Sequence, residues 1–202
     1  MIMDEKKKNL VLLGSGGHAS VVASLANSLG LQITDIAVPN TKMLLSKASG
    51  IRYLNDEALL QAPDRADYPL INGIGQKIGC KLRADIFTKF KNLNFKFLTL
   101  THPFSYVDPS SQISEGAQIM AGAIVQSHCF VGENSILNTN SSIDHGCKVG
   151  SSCHIAPGAV LCGDVVIGNN CFIGAGAIVT EGTKLANDTI VKAGRVIGNK
   201  QT

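Results

Sequence analysis

From Ile113 to Ile197 an aliphatic residue returns at every sixth position: Ile113, Ile119, Val125, Val131, Leu137, Ile143, Val149, Ile155, Leu161, Ile167, Ile173, Val179, Leu185, Val191 and Ile197. Val107 carries the series one step further back. Four positions after each anchor stands a mostly small residue, among them Ala117, Ala123, Cys129, Ser135, Ser141, Cys147, Cys153, Ala159, Cys171 and Ala177. A six-residue period is the signature of a β-solenoid, in which each short repeat forms one flat side of a coil. Three sides make a turn of about 18 residues, so the stretch predicts about five coils. The anchor and the fourth residue after it point inward; the residues between them form the corner.

Upstream the pattern changes. Asn9 to Leu13 (NLVLL) reads as a short buried strand. Ser20 to Leu29 has helical spacing and stops at Gly30. Further strands are predicted over Gln32–Val38 and Tyr68–Ile74, a helix from about Lys77 to Asn92, and a last strand over Phe95–Leu100 that leads into His102-Pro103. This alternation is an α/β unit built on a small parallel sheet. The expected division is a Rossmann-like domain over 1–101 and a β-solenoid over 102–202.

The first strand is followed at once by Gly14-Ser15-Gly16-Gly17-His18-Ala19, a GxGxx(G/A) turn between a strand and a helix. Glycines there allow a tight turn and close approach of a phosphate, and the helix start offers N–H groups and a positive dipole end. A dinucleotide site also wants an acid at the end of the second strand. Asp35 lies inside that strand, which ends in Val38-Pro39-Asn40. One nucleotide-like group is therefore the reading, with His18 as a donor to a phosphate or sugar oxygen. Asn72, Gly73 and Gly75 end the third strand and are expected at the same crevice.

Charge is uneven along the chain. Residues 1–106 hold thirteen Lys/Arg against eight Asp/Glu, and residues 107–202 five against seven. The basic half suits a phosphorylated ligand and is not clustered enough for nucleic acid. No run approaches the length of a membrane span, and the charged start MIMDEKKKNL lacks a signal-peptide apolar region, which predicts a cytoplasmic protein. Cys129, Cys147, Cys153 and Cys171 take the small inward position, where they read as core residues and free thiols. No CxxC pair is present, and no metal site is expected.

Three histidines fall outside the predicted prism. His128 is three after its anchor, His145 two after Ile143, and His154 five after Val149. His145 and His154 are nine apart, half of one coil, so one chain places them on different sides. Two neighbours packed side by side bring His145 of one toward His154 of the next. An imidazole base there takes a proton from an amine or hydroxyl that attacks a thioester, and a neutral histidine holds the carbonyl oxygen. Asp144 and Asn138 are the nearby groups that orient His145.

The repeats, the glycine turn with its histidine, and Ile143-Asp144-His145-Gly146-Cys147 followed by His154 resemble the nucleotide-sugar acetyltransferases of the left-handed β-helix superfamily. The similar branch is the sialic acid O-acetyltransferase-like group, which includes bacillosamine, perosamine and viosamine N-acetyltransferases. The resemblance covers nearly the whole chain. It implies a left-handed coil, a homotrimer with sites between subunits, and acetyl-CoA along the coil groove. It further implies transfer to a nucleotide-linked 4-amino-4,6-dideoxy sugar for surface glycan biosynthesis. His145 matches the general base; Asp144, which precedes it, is a candidate for orienting it and is not a match to the family's acid. His154, Ala175 and Ala193 match the acetyl-CoA contacts, and Gly16, Gly17, His18 and Gly75 the nucleotide-sugar contacts. In the bacillosamine branch an acid follows the base directly, where this chain has Gly146. That branch also has acids after the second strand; their absence leaves dTDP and GDP sugars open beside UDP sugars. Arg195 and Lys200 are candidates for CoA phosphates.

Two other classes compete. O-acetylation of a sialic or related sugar uses the same machinery, and a non-catalytic solenoid would leave His145 without a task. A zinc-dependent lyase on the same coil needs converging histidines, and gaps of 17 and 9 do not supply them.

Overall fold

The computed structural model describes residues 10–39, 50–61 and 68–198. They form two compact units: the described residues up to Gly75 together with Thr88–Leu98, and Gln76–Phe87 together with the residues from Thr99 onward.

The first unit holds a parallel sheet of β1 (Leu10–Leu13), β2 (Ile33–Ala37), β3 (Arg52–Leu54) and β4 (Leu70–Asn72) in the order β3-β2-β1-β4. All four residues of β1 are buried, which explains the unbroken apolar run: a central strand has no wet face. Helix α1 (Gly17–Ser28) buries Ala19, Val22, Leu25 and Ala26 against this sheet and ends at Gly30, whose φ is 71°. Two elements go beyond the predicted set. Strand β3 has 3 residues and helix α2 (Asp56–Leu60) has 5, both too short to display a period. The Asn55 side chain caps α2 by accepting from Ala58 N at 2.9 Å.

The segment Phe95–Leu100 is not one strand. Phe97 bridges to Leu70 of the first sheet, while Leu100 pairs with Gln118 of the coil. Helix α3 (Leu82–Asn92) starts later than the spacing predicts, and the division between units falls inside it.

The second unit is a left-handed parallel β-helix of two-residue strands from β5 (Leu100–Thr101) to β21 (Val196–Ile197). They stack in parallel sheets of six, six and five strands, just under six coils where the aliphatic series predicts five. The extra rungs come first: Thr101 holds the anchor place opposite Ile119 but is exposed at the coil's end, so it need not be aliphatic. Three flats follow in chain order. The first contains His154–Ile155, the second Ser142–Ile143 and the third Lys148–Val149.

Anchors from Ile119 to Val179 are buried and share one core with Ala117, Cys129, Cys147, Cys153 and Cys171. Burying one such aliphatic side chain contributes about 1.5–3 kcal/mol. The cysteines are free thiols, and Cys147 Sγ donates to Cys162 O at 3.0 Å. From Ile113 onward each described corner passes through the left-handed region at the third residue after its anchor. Asn134, Asn140, Asp164, Asn170 and Asp188 stand there with φ between 56° and 59°. His128 holds the same corner place with φ 58°, which accounts for its position without any chemistry.

Candidate active site

His145 stands on the corner between the second and third flats. Ile143 and Cys147 are both fully buried and pin the corner on either side. Its backbone is tied at both ends: His145 N donates to Asp144 Oδ1 at 2.7 Å, and His145 O accepts from Asp164 N at 2.9 Å. The ring is exposed and leans over the next coil. A Cβ built on Gly163 would lie 2.7 Å from Nε2 and 2.6 Å from Cε1 of this ring. Gly163, one coil above, is thus the floor on which the imidazole rests.

Of the two expected orienting groups, one stays beside His145 and one does not. The Asp144 carboxylate is used on the backbone N–H of His145. Asn138 belongs to His154: its Nδ2 lies 3.0 Å from His154 Nε2. The Asn138 amide oxygen accepts from Thr139 N at 2.8 Å, which fixes the amide so that nitrogen faces the ring. In this orientation the Asn138 amide N–H points at His154 Nε2. Gly146, which replaces the acid of the bacillosamine branch, has φ 68°, and the carboxylate of Asp164 lies directly over it. A carboxylate at position 146 would meet this second one.

His154 is half-buried on the outside of the first flat. The ladder stacks Ile136, His154, Phe172 and Ile190 on successive coils. The His154 and Phe172 rings meet edge to face at 5.0 Å. Ala175 and Ala193 occupy the corner that follows the first flat, both exposed and one coil apart. There Gly194 N donates to Ala175 O at 2.9 Å, and Gly174 lies against the backbone of Ala193. His154, Ala175 and Ala193 therefore share one edge of the prism, while His145 stands on another corner.

In the first unit, strand β1 lies between β2 and β4, so the chain reverses its winding direction between β1 and β4. The carboxyl ends at such a switch point form the ligand crevice of parallel sheets. Both glycine turns are there. Gly73 N donates to Leu13 O at 2.9 Å, and Asn72 Oδ1 accepts from Ile74 N at 3.1 Å. Gly75 faces His18, with 3.1 Å between its would-be Cβ and His18 Cβ. Space above Gly16 and Gly17 is open, and helix α1 has no side-chain cap at Gly16. Asp35 is fully buried and its carboxylate is engaged by Arg52 at 2.7 Å, so it offers nothing to a ribose.

Residues 128–163 match the family model described as bacterial transferase hexapeptide (six repeats), and residues 164–199 the hexapeptide repeat of succinyl-transferase. Over 94% of its length the chain is 31% identical to the acetyltransferase domain of PglB from Neisseria gonorrhoeae, covering 91% of that chain with a TM-score of 0.83. It is also 31% identical to PerB from Caulobacter crescentus, solved with CoA and GDP-perosamine, covering 94% of this chain and 88% of that one at a TM-score of 0.83. The chain belongs to the hexapeptide-repeat acetyltransferases. WeeI from Acinetobacter baumannii, 17% identical with 95% and 96% coverage and a TM-score of 0.72, shares the fold. A search of curated proteins finds no match.

Among the described residues no group of three or more His, Cys, Asp or Glu is placed to hold a metal ion. No described helix is long and apolar enough to cross a membrane. Lys200 and Asn40 lie outside the described residues. Gly163 and Asp164 carry no spacing signal of their own; each is visible only as the residue 18 after a member of the His145-Gly146 corner.

Proposed function

We propose that this protein transfers the acetyl group of acetyl-CoA to the amino group of a nucleotide-linked sugar, a 4-amino-4,6-dideoxy sugar in the first instance. The observation that carries the reading is the 31% identity, over 94% of the chain, to an acetyltransferase solved with CoA and GDP-perosamine.

In this reading acetyl-CoA supplies the activated acyl group, and the chain supplies a base and a neutral donor. His145 takes the proton of the sugar amine as nitrogen attacks the thioester carbonyl; the C–S bond then breaks, and the CoA thiolate leaves with a proton returned from His145. Its exposed corner position and the glycine floor at Gly163 leave room for a substrate amine. His154, which meets Asn138 through Nε2, is assigned to the contact with the acetyl group of the coenzyme, and a backbone N–H beside it is assigned to the carbonyl oxygen of the thioester. The exposed main chain at Ala175 and Ala193 continues that edge and is assigned to the coenzyme. In the first unit, Gly16, Gly17, His18 and Gly75 hold the nucleotide-sugar.

His145 and His154 lie on different sides of one prism, so one subunit's base serves an acetyl group held by its neighbour. The assembly proposed is a homotrimer, the smallest ring that closes with such head-to-tail contacts and shares three equivalent sites. The proposed location is the cytoplasm.

The test is a coupled assay for released CoA with acetyl-CoA and a panel of UDP-, dTDP- and GDP-linked 4-amino-4,6-dideoxy sugars. Turnover on at least one member is expected. Absence of turnover on all of them, in a folded preparation, overturns the reading.

A further inference from the structure

Along the corner that precedes the first flat, at Ser152, Asn170 and Asp188, lies a cavity of about 210 Å³ within the second unit, between the segment 76–84 and that flat. One wall is apolar, made by Phe172 and Ile190 on successive coils. The opposite wall carries Lys77, Lys81 and Arg83, three cations against the single carboxylate of Asp188. Arg83 is 1% exposed. Its Nε donates to Asn134 O at 3.0 Å, and Asn134 Nδ2 returns a bond to Arg83 O at 3.4 Å. Asn134 Nδ2 also donates to Ser152 Oγ at 3.0 Å, and Ser152 lines the same cavity. The guanidinium is thus held in place by the coil itself before any ligand arrives. Burial lowers the Arg83 pKa to about 9, the effect of withdrawing a charge from water. An anion beside it would offset that penalty.

We propose that this cavity is a phosphate-binding subsite, and that the group it takes is a phosphate of the acyl-carrying coenzyme. The proposal rests on the reading of the chain as a CoA-dependent acetyltransferase. The coenzyme is the favoured source because the outward column His154, Phe172, Ile190 carries the face of the first flat from the acetyl contact to the cavity wall, so a ligand held at the Ala175–Ala193 corner would cross this flat to reach it. Phe172 touches both: its ring meets His154 on one side and lines the cavity on the other. A long flexible ligand leaving His154 along this flat passes Lys77, Lys81 and Arg83. Lys81 pairs with Asp188 at 2.8 Å in the absence of ligand, a surface contact that an incoming phosphate can replace. None of the repeat positions predicts this site, since its cations come from outside the coil.

Cys80 lines the same cavity and is the exposed cysteine of the chain, so it reports occupancy directly. The experiment measures Cys80 alkylation by iodoacetamide, read by peptide mass spectrometry on the full-length protein. The probes are CoA, dephospho-CoA, a nucleoside diphosphate (UDP, dTDP or GDP) and inorganic phosphate. Saturating CoA is expected to slow labelling about tenfold. The double variant Lys77→Ala/Lys81→Ala, exposed positions that leave the fold intact, is expected to lose the protection. It should also raise KM for acetyl-CoA about tenfold with kcat nearly unchanged, the size of one charge-assisted contact. Arg83→Lys tests the buried cation with its charge retained and should give an intermediate loss. Protection by a nucleoside diphosphate but not by CoA keeps the phosphate chemistry and overturns the assignment to the coenzyme. No protection by any probe, with KM unchanged in the double variant, overturns the proposal entirely. Because labelling needs no acceptor sugar, a protein that failed to turn over every sugar tested would still answer this question.

Discussion

Asn138 donates its amide N–H to Nε2 of His154 across 3.0 Å, between neighbouring coils of the same flat. The Asn138 oxygen is committed to Thr139 N, which holds the amide nitrogen toward the ring. Asn138→Ala removes a contact to a partly buried ring. Such a loss is worth about 1–3 kcal/mol, or roughly fivefold to over a hundredfold. We expect kcat/KM for acetyl-CoA to fall within that range with thermal stability little changed. Steady-state kinetics with acetyl-CoA varied checks it; unchanged kcat/KM would mean that His154 works without the contact to Asn138.

Gly163 is the support of the His145 ring. A methyl group there would lie 2.6 Å from Cε1 and 2.7 Å from Nε2, closer than atoms approach, so Gly163→Ala must push the imidazole away. The ring is exposed and free to swing, and Gly163 has an ordinary φ, so the fold should tolerate the change. The expected outcome is a drop in kcat of about a hundredfold or more, in the range of a lost general base, with Tm within a degree or two. Full activity in this variant would show that His145 works in another position or not at all.

The coil was legible because every anchor repeats the same environment: an aliphatic at Ile143 or Ile155 faces the axis for the same reason as its neighbours one coil away. The offset of His145 from His154 followed from counting along that repeat. Contacts between coils were not legible in the same way. Spacing alone offers Asn138 to His145, whereas the phase of the corner hands it to His154, 16 residues on. Gly163 has no local reason to be glycine; its reason is the ring of a residue one coil earlier. Strand β3 and helix α2 escaped because a period needs more residues than they have. The Arg83 cavity escaped because it joins the repeat to a segment with no repeat.

The two glycine turns of the first unit predict opposite outcomes. Gly16 and Gly17 have open space around them, so alanine at either should fold normally and weaken binding of the nucleotide-sugar. Gly73 is crowded, with a would-be Cβ 2.7 Å from Leu13 O, and alanine there should lower stability by about 1–3 kcal/mol, as overpacking does. Thermal melts combined with KM for the sugar nucleotide separate the two effects. A Gly73→Ala protein as stable as the parent would show that the sheet end is looser than its contacts imply.

Sharing of sites between subunits is testable by mixing. His145→Ala and His154→Ala proteins are each expected to be nearly inactive. Unfolded together and refolded, they should regain up to about a quarter of parental activity, the share of sites that receive both histidines by random assembly in a head-to-tail ring. Zero recovery, with mixed oligomers verified by mass spectrometry, would place both histidines of a working site in one subunit.

The central claim is that His145 removes the proton from the attacking amine. Its most direct test is the single-turnover rate of acetyl transfer by His145→Ala with both substrates saturating, with and without added imidazole. The account predicts a rate lower by about 10²–10⁴, unchanged binding of acetyl-CoA, and partial recovery as imidazole is added. A variant that transfers acetyl at the parental rate, or one that loses acetyl-CoA binding and gains nothing from imidazole, would contradict it.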